Sequence, residues 1–346
     1  MLTTFSSNAI TAKARAIYGH RLTNNNYAEL LRLQTVSDVA SYLKTNTSYS
    51  EYLKGISEMQ IHRGQLENLL TRSRFEKYFS LCHYDFTKDK GFYRYVISNV
   101  EISVILRAIM LLNSGSPQEI IINLPSFMQE YACFDFMELS KIKCFDDLLA
   151  VLEKTQYKNV IIRFSAPNGS INFSGCELAL KTHYYKMIFA LIDRYYKGKT
   201  KKELYEIVLI EIELLNLTLI YRLKRYFKKS PDEIKLQLLP FFYKLNPRTL
   251  EDLLVNQKRQ QFIDNMKLRA YHSHMKNVEF NYIEDYTKRL KYIISRKRMR
   301  FSSNAPISFY ALMSLTQIEI ENIIIIIEGI RYQDSPLEIK KLLILE

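Results

Sequence analysis

Glycine and proline are both scarce in this chain, with 9 and 8 copies in 346 residues, and tryptophan is absent. Glycine and proline punctuate turns, so their scarcity excludes a loop-rich or collagen-like chain. With many Leu, Ile, Lys and Glu, it points to long helices. The four cysteines, Cys82, Cys133, Cys144 and Cys176, stand far apart. None forms a Cys-x-x-Cys pair, which excludes a zinc knuckle and a dithiol redox motif and fits a reducing compartment. Long apolar runs are also missing. The longest aliphatic run, Ile323 to Ile327, stops at Glu328, short of the ~20 residues of a membrane span. Met1 to Leu22 lacks an apolar core and carries Lys13 and Arg15, so it does not read as a signal peptide.

The usual chemistry motifs are missing too. There is no Gly-x-Gly-x-x-Gly and no Walker A loop, so nucleotide binding is not expected. The six histidines are dispersed, and His272 and His274, two apart, fall on different helix faces, so a shared metal is not expected. No nucleophile motif appears, and the many carboxylates read mostly as partners of nearby Lys or Arg on exposed helix faces. No catalytic residue, cofactor or metal is assigned.

What is present begins with a phrase repeated three times. Ser-Pro-x-Glu-Ile occurs at Ser116–Ile120, Ser230–Ile234 and Ser335–Ile339. Each copy reads as a helix start: a Ser N-cap, Pro at the first position and Glu completing a capping box. A second phrase, Thr35 to Ala40, matches Cys144 to Leu149 and Thr249 to Leu254. Its apolar positions at i, i+3, i+4 and i+7 make one buried helix face, although Gln257 breaks the third copy. Thr35 and Thr249 are expected to cap their helices; Cys144 caps less well. A third phrase pairs Leu66–Leu70, Phe75 and Phe79 with Cys176–Leu180, Tyr185 and Phe189, aromatics at helical spacing that read as core. Each repeat closes with an apolar helix carrying an early Asn and a later cation: Asn99 to Leu112, Asn216 to Phe227 and Asn322 to Ile330. The period of about 110 residues divides the chain into helical units 1–125, 126–240 and 241–346. Tyr157 to Phe164 is β-prone, but its likeness to Tyr49 to Ile56 favours helix.

Lys and Arg number 49 against 36 Asp and Glu, a net charge of +13. Such a surface suits nucleic acid, anionic lipid or an acidic protein, without choosing among them. The densest run, Lys291 to Arg300, contains Arg296, Lys297, Arg298 and Arg300. Arg222 to Lys229 suits the C-terminal end of a helix dipole.

These residues taken together resemble a known family. Asn8 with Ala12-Lys13-Ala14-Arg15-Ala16, the Leu30-to-Tyr52 stretch with Thr45 and Tyr49, Asn99 to Arg107, and the ending from Phe301 to Ile339 look like the C subunit of bacterial and archaeal V-type ATPases, whose eukaryotic relative is the d subunit. The resemblance covers essentially the whole chain. It implies an all-α fold of three similar helical units in a pseudo-threefold funnel around a central cavity. It also implies a non-catalytic role: a peripheral protein on the cytoplasmic face of the membrane that seats the central axle on the proteolipid rotor ring. The expected partners are then axle and ring, with membrane surface contact and no nucleic acid. Arg107, Arg225 and Arg331, with Arg296, Lys297, Arg298 and Arg300, are candidates for the partner interface. Asn99, Asn216 and Asn322 either face the cavity or sit as satisfied polar groups between packed helices. A basic helical scaffold for nucleic acid or other proteins is the alternative.

Overall fold

The computed structural model describes residues 2–58, 61–84, 91–164, 171–255 and 283–345. Every regular element among them is helical, as the composition and periodicity predict. Among these residues, four α-helices precede residue 85: α1 (Leu2–Gly19), α2 (Asn24–Leu30), α3 (Val36–Asn46) and α4 (Arg63–Cys82). Eight follow in the middle of the chain: α5 (Tyr95–Asn113), α6 (Phe136–Leu139), α7 (Phe145–Val151), α8 (Gln156–Ile161), α9 (Phe173–Tyr195), α10 (Gly198–Arg225), α11 (Pro231–Lys235) and α12 (Pro247–Val255). Beyond residue 282 come α13 (Ile283–Phe301), α14 (Ala305–Tyr332) and α15 (Pro336–Leu342). The β-prone Tyr157-to-Phe164 stretch is helical, as α8 followed by a 3-10 turn over Ile162–Phe164. Gln257 and the pair His272 and His274 lie outside the described residues.

Contacts divide the chain into two compact units, Met1–Lys88 with Tyr271–Glu346, and Asp89–Ala270. In the first, α14 is the central element and packs on α13, α1, α4, α3 and α15. Every residue from Ala305 to Thr316 is buried, as an all-round apolar helix requires. In the second unit α9 packs on α5, α8 and α10, and α10 also meets α11 and α12. The paired aromatic phrases are core in both places: Leu66, Leu70 and Phe75 are buried on α4, and Cys176, Leu180 and Tyr185 on α9.

Two stretches, Phe92–Asn113 and Ala305–Tyr332, are long and apolar enough to cross a membrane, a property that counting unbroken aliphatic runs had missed. Yet 61% and 72% of their most apolar stretches are buried within the protein. They are core helices of their units.

The three Ser-Pro-x-Glu-Ile phrases sit in related but unequal settings. Each follows a long helix with a positive-φ residue one to three positions past its end: Gly115 at 70°, Lys228 at 50° and Gln333 at 59°. The next N–H then turns back to a carbonyl in the last turn: Ser116 to Leu111, Lys229 to Leu223 and Asp334 to Gly329. This closes the helix end and redirects the chain. In the second and third copies one residue separates that turn from the serine. Ser230 and Ser335 then cap Glu233 and Glu338, and each glutamate returns a bond from the serine N–H, a complete capping box. The Glu233 carboxyl is held down to about 2 by the Lys229 ammonium and then by the Ser230 N–H and hydroxyl.

The first copy corrects the sequence reading. Ser116 directly follows Gly115, and its N–H is already spent on Leu111. It makes no side-chain cap, and a 3-10 helix, Pro117–Asn123, replaces the α-turn. The isoleucine serves as the anchor in all three copies, since Ile120, Ile234 and Ile339 are 1%, 0% and 2% exposed. Ile339 presses on Gly329 so closely that a Cβ there would stand 2.5 Å from its Cγ1.

The second phrase also keeps its buried face, with Val39, Ala40 and Leu43 matching Leu148 and Leu152, and Leu253 and Leu254. Thr35 caps Asp38 as expected. At Cys144 the Asp147 carboxylate accepts from the N–H groups of Lys143 and Cys144. Thr249 does not cap. Its helix starts earlier, at Pro247, and Asn246 Oδ1 accepts from the Thr249 N–H at 2.8 Å.

Ser230→Ala and Ser335→Ala are each expected to cost about 1 kcal/mol, the usual loss of an N-cap, and Ser116→Ala close to nothing. Urea unfolding of the three variants checks this ranking.

Candidate functional site

A buried carboxylate is costly unless several donors surround it. Three lie in the long apolar helices: Glu101 on α5, Glu213 on α10 and Glu319 on α14, at 1%, 0% and 9% exposure. Glu101 accepts from the Cys133 N–H at 2.7 Å and the Tyr157 hydroxyl at 2.6 Å. Glu319 accepts from the Leu22 N–H at 2.8 Å and the Tyr49 hydroxyl at 2.7 Å. Glu213 accepts from the N–H groups of Tyr243 and Leu245 at 2.6 and 2.7 Å.

These are one device used three times. Tyr49 and Tyr157 each follow a threonine, Thr47 or Thr155, that accepts from the tyrosine N–H. Leu22, Cys133 and Leu245 each lie in non-helical backbone just ahead of a short helix. Each glutamate reaches forward to the segment that opens the next stretch of chain, and the last, Glu319, returns to the first. The links therefore run in a closed order: α5 to residues 133 and 157, α10 to 243 and 245, α14 to 22 and 49.

Two asparagines add a second set of clamps. Asn216, three residues after Glu213, donates to the Leu239 carbonyl and accepts from the Leu239 N–H, both at 2.9 Å. Asn322, three after Glu319, does the same with Ile344 at 2.8 and 3.0 Å. Both are buried and hold backbone groups, and Asn322 also donates to the Tyr27 hydroxyl, so they sit as satisfied polar groups within their units. Asn99 is exposed and precedes its glutamate by two residues, so it does not match them.

The sequence reading passed over the three glutamates by assigning carboxylates to exposed faces. A signal was there: none of the three has Lys or Arg three or four residues away on its helix.

The basic candidates are distributed as follows. Arg225 and Arg331 are exposed at the ends of α10 and α14, and Arg107 is half-buried on α5. The run from Arg296 to Arg300 is the last part of α13. Met299 is buried, Arg296 and Arg298 are half-buried, and Lys297 and Arg300 are exposed three residues apart on one side. The Arg296 guanidinium lies over the Tyr292 ring at 6.0 Å. Arg15 closes the end of the same helix by donating to the carbonyls of Met299, Arg300 and Ser302. Among the described residues no His, Cys, Asp or Glu cluster is placed to hold a metal.

Burial pushes the Tyr49 phenol well above its ordinary value of 10.0, and Glu319 pushes it further. Tyr157 is raised in the same way, by burial and then by Glu101. A raised folded-state value stabilises fully below the unfolded value, and the contribution is lost as pH climbs past it. Both phenols should therefore ionise only as the protein unfolds in alkali, with phenolate absorbance rising together with loss of helical circular dichroism. Tyr49→Phe and Tyr157→Phe each leave a buried carboxylate oxygen without its donor and are expected to cost about 1–3 kcal/mol in urea unfolding.

Residues 10–342 match the family described as ATP synthase (C/AC39) subunit. The C subunit of the A-type ATP synthase of Methanosarcina acetivorans is 24% identical over 267 residues, covering 75% of this chain and 69% of that protein. With an all-helical fold built on repeated helix starts and repeated carboxylate clamps, the chain belongs to the ATP synthase (C/AC39) subunit family.

Proposed function

We propose that this chain is a non-catalytic central-stalk subunit of a V-type or A-type ATPase, seated between the rotating axle and the proteolipid rotor ring on the cytoplasmic face of the membrane. It would carry torque during ATP-driven ion transport or ATP synthesis and need no cofactor. The observation that best supports this reading is the closed order of buried carboxylate links. A part that passes torque must resist shear between its sections, and charge-assisted hydrogen bonds add directional strength to the close-packed apolar contacts around them. The same links favour the three units 1–125, 126–240 and 241–346 of a pseudo-threefold funnel, because each glutamate lies in one unit and its donors lie in the next.

The interface would use cations. Of those named from the sequence, Arg225, Arg331, Lys297 and Arg300 are exposed. Lys297 and Arg300 sit together on α13, on a helix whose opposite side is core. Charge at such a surface steers assembly and makes it salt-dependent.

Lys297→Glu with Arg300→Glu should weaken retention of the water-soluble ATPase head on membranes, most at low salt and less as salt screens the charges, and reduce ATP-driven ion pumping, while the isolated variant keeps its helix content. Retention and pumping at the parent level would make α13 a solvated face. Purified alone, the protein should show no ATP binding by calorimetry; recovery of RNA instead of ATPase components from native membranes would favour the scaffold reading.

A further inference from the structure

Arg15 lies in the Ala-Lys-Ala-Arg-Ala phrase of α1, yet its side chain serves a different helix of the same compact unit. Its Nε donates to the Met299 carbonyl at 3.4 Å. Its Nη2 donates to the Arg300 and Ser302 carbonyls at 3.4 and 2.9 Å. A helix leaves its last carbonyls without partners of its own, and here one remote guanidinium serves the end of α13. The Arg298 carbonyl is met by the Ser302 N–H at 2.9 Å. The last turn of α13 is thus tied down by a residue about 285 positions away in sequence.

The clamp brings one more cation to a place already full of them. Lys297 and Arg300 are exposed on α13, and Arg15 is exposed beside them. No Asp or Glu occurs among residues 1–28 or 286–318, the stretches that meet here. The end of α13 therefore carries positive charge without acid from either stretch. Phe301 stands at its tip, 79% exposed, the most exposed large apolar side chain among the described residues.

The form of this patch selects among partners. Insertion into lipid takes a helix with a free apolar side, and on α13 that side is core, with Leu290, Ile294 and Met299 buried. Single-stranded nucleic acid takes several aromatic rings in succession, and here there is one. One exposed ring among cations, on backbone held in place, suits a pocket on another protein, and the cations suit an acidic one.

We propose that Phe301 anchors, and Arg15 positions, a contact with an acidic protein surface that offers an apolar pocket beside its carboxylates. Arg15 keeps Lys297, Arg300 and Phe301 in one mutual geometry before the partner arrives, so that less order is lost on binding. The contact rests on the stalk reading, in which that partner is a component of the rotary complex.

Membranes depleted of this chain and of the ATPase head, titrated with the purified full-length chain, test it. Phe301→Ser should weaken binding at least tenfold and leave the salt dependence unchanged, since no charge is lost. Arg15→Lys keeps the charge but not the fork that spans three carbonyls, and should weaken binding severalfold. Combined, the two losses should be less than additive, because Arg15 acts partly through the ring. Full additivity, or Arg15→Lys at the parent affinity, would overturn the positioning role. Phe301→Ser at the parent affinity would overturn the anchor. Equal binding to protein-free phosphatidylglycerol vesicles or to single-stranded RNA, with the same dependence on Phe301, would overturn the acidic protein as partner. Should Arg15→Lys fail to fold, Arg15→Gln, which can serve one carbonyl, takes its place. Recovery of the chain with ATPase components from native membranes is scored separately. Recovery without an effect of Phe301→Ser overturns this contact alone, and an effect of Phe301→Ser without recovery overturns the stalk reading.

Discussion

A carboxylate taken out of water has to be met by hydrogen-bond donors, and this protein obtains them from remote parts of its own chain. Glu101, Glu213 and Glu319 sit on helices otherwise apolar enough to be mistaken for membrane spans in two cases out of three. Each draws in backbone N–H groups that no helix serves, at Cys133, at Tyr243 and Leu245, and at Leu22. The requirement works in both directions. The carboxylate needs the donors, and non-helical backbone entering the core needs an acceptor. A single glutamate thereby fixes where the next stretch of chain must begin, at about 1.5–3 kcal/mol for each bond to the charged group.

The helix ends set the spacing between these fixed points. A left-handed residue, a returning N–H and a Ser-Pro start turn each long helix back, so that a short helix can bury its isoleucine. A difference of one residue is enough to alter the outcome. With Lys229 or Asp334 interposed, the serine N–H stays available for the glutamate. Without such a residue at Ser116, the same words in the sequence give a 3-10 turn. At Lys228 and Gln333 a side chain occupies the left-handed region at a cost of about 1–2 kcal/mol, which the closed helix end offsets.

How much of this was legible differs by feature, for physical reasons. Helix content, the buried face of the Thr35 phrase and the likeness of the apolar patterns of α4 and α9 follow from periodicity, which burial enforces at every repeat. The caps at Thr35, Ser230 and Ser335 are local and were readable; Ser116 and Thr249 were not, because a turn one residue away and an earlier helix start decided them. The asparagines drew attention as polar residues in apolar helices, but Asn99 belongs to a different register from Asn216 and Asn322. The glutamates carried the stronger signal, a carboxylate with no cation one turn away, yet their partners lie 30 or more residues off and no local rule names them. Of the basic candidates, Arg225, Arg331, Lys297 and Arg300 are exposed and Arg107, Arg296 and Arg298 are half-buried.

The central claim is that buried carboxylates hold the chain together through otherwise unserved backbone. Native-state hydrogen exchange at Leu22, Cys133, Tyr243 and Leu245 tests it most directly. None of these residues lies in a helix, so helix hydrogen bonds cannot protect them. The account predicts that their amides exchange as slowly as those of the cores of α5, α10 and α14. Exchange at the rate of exposed loops would contradict it.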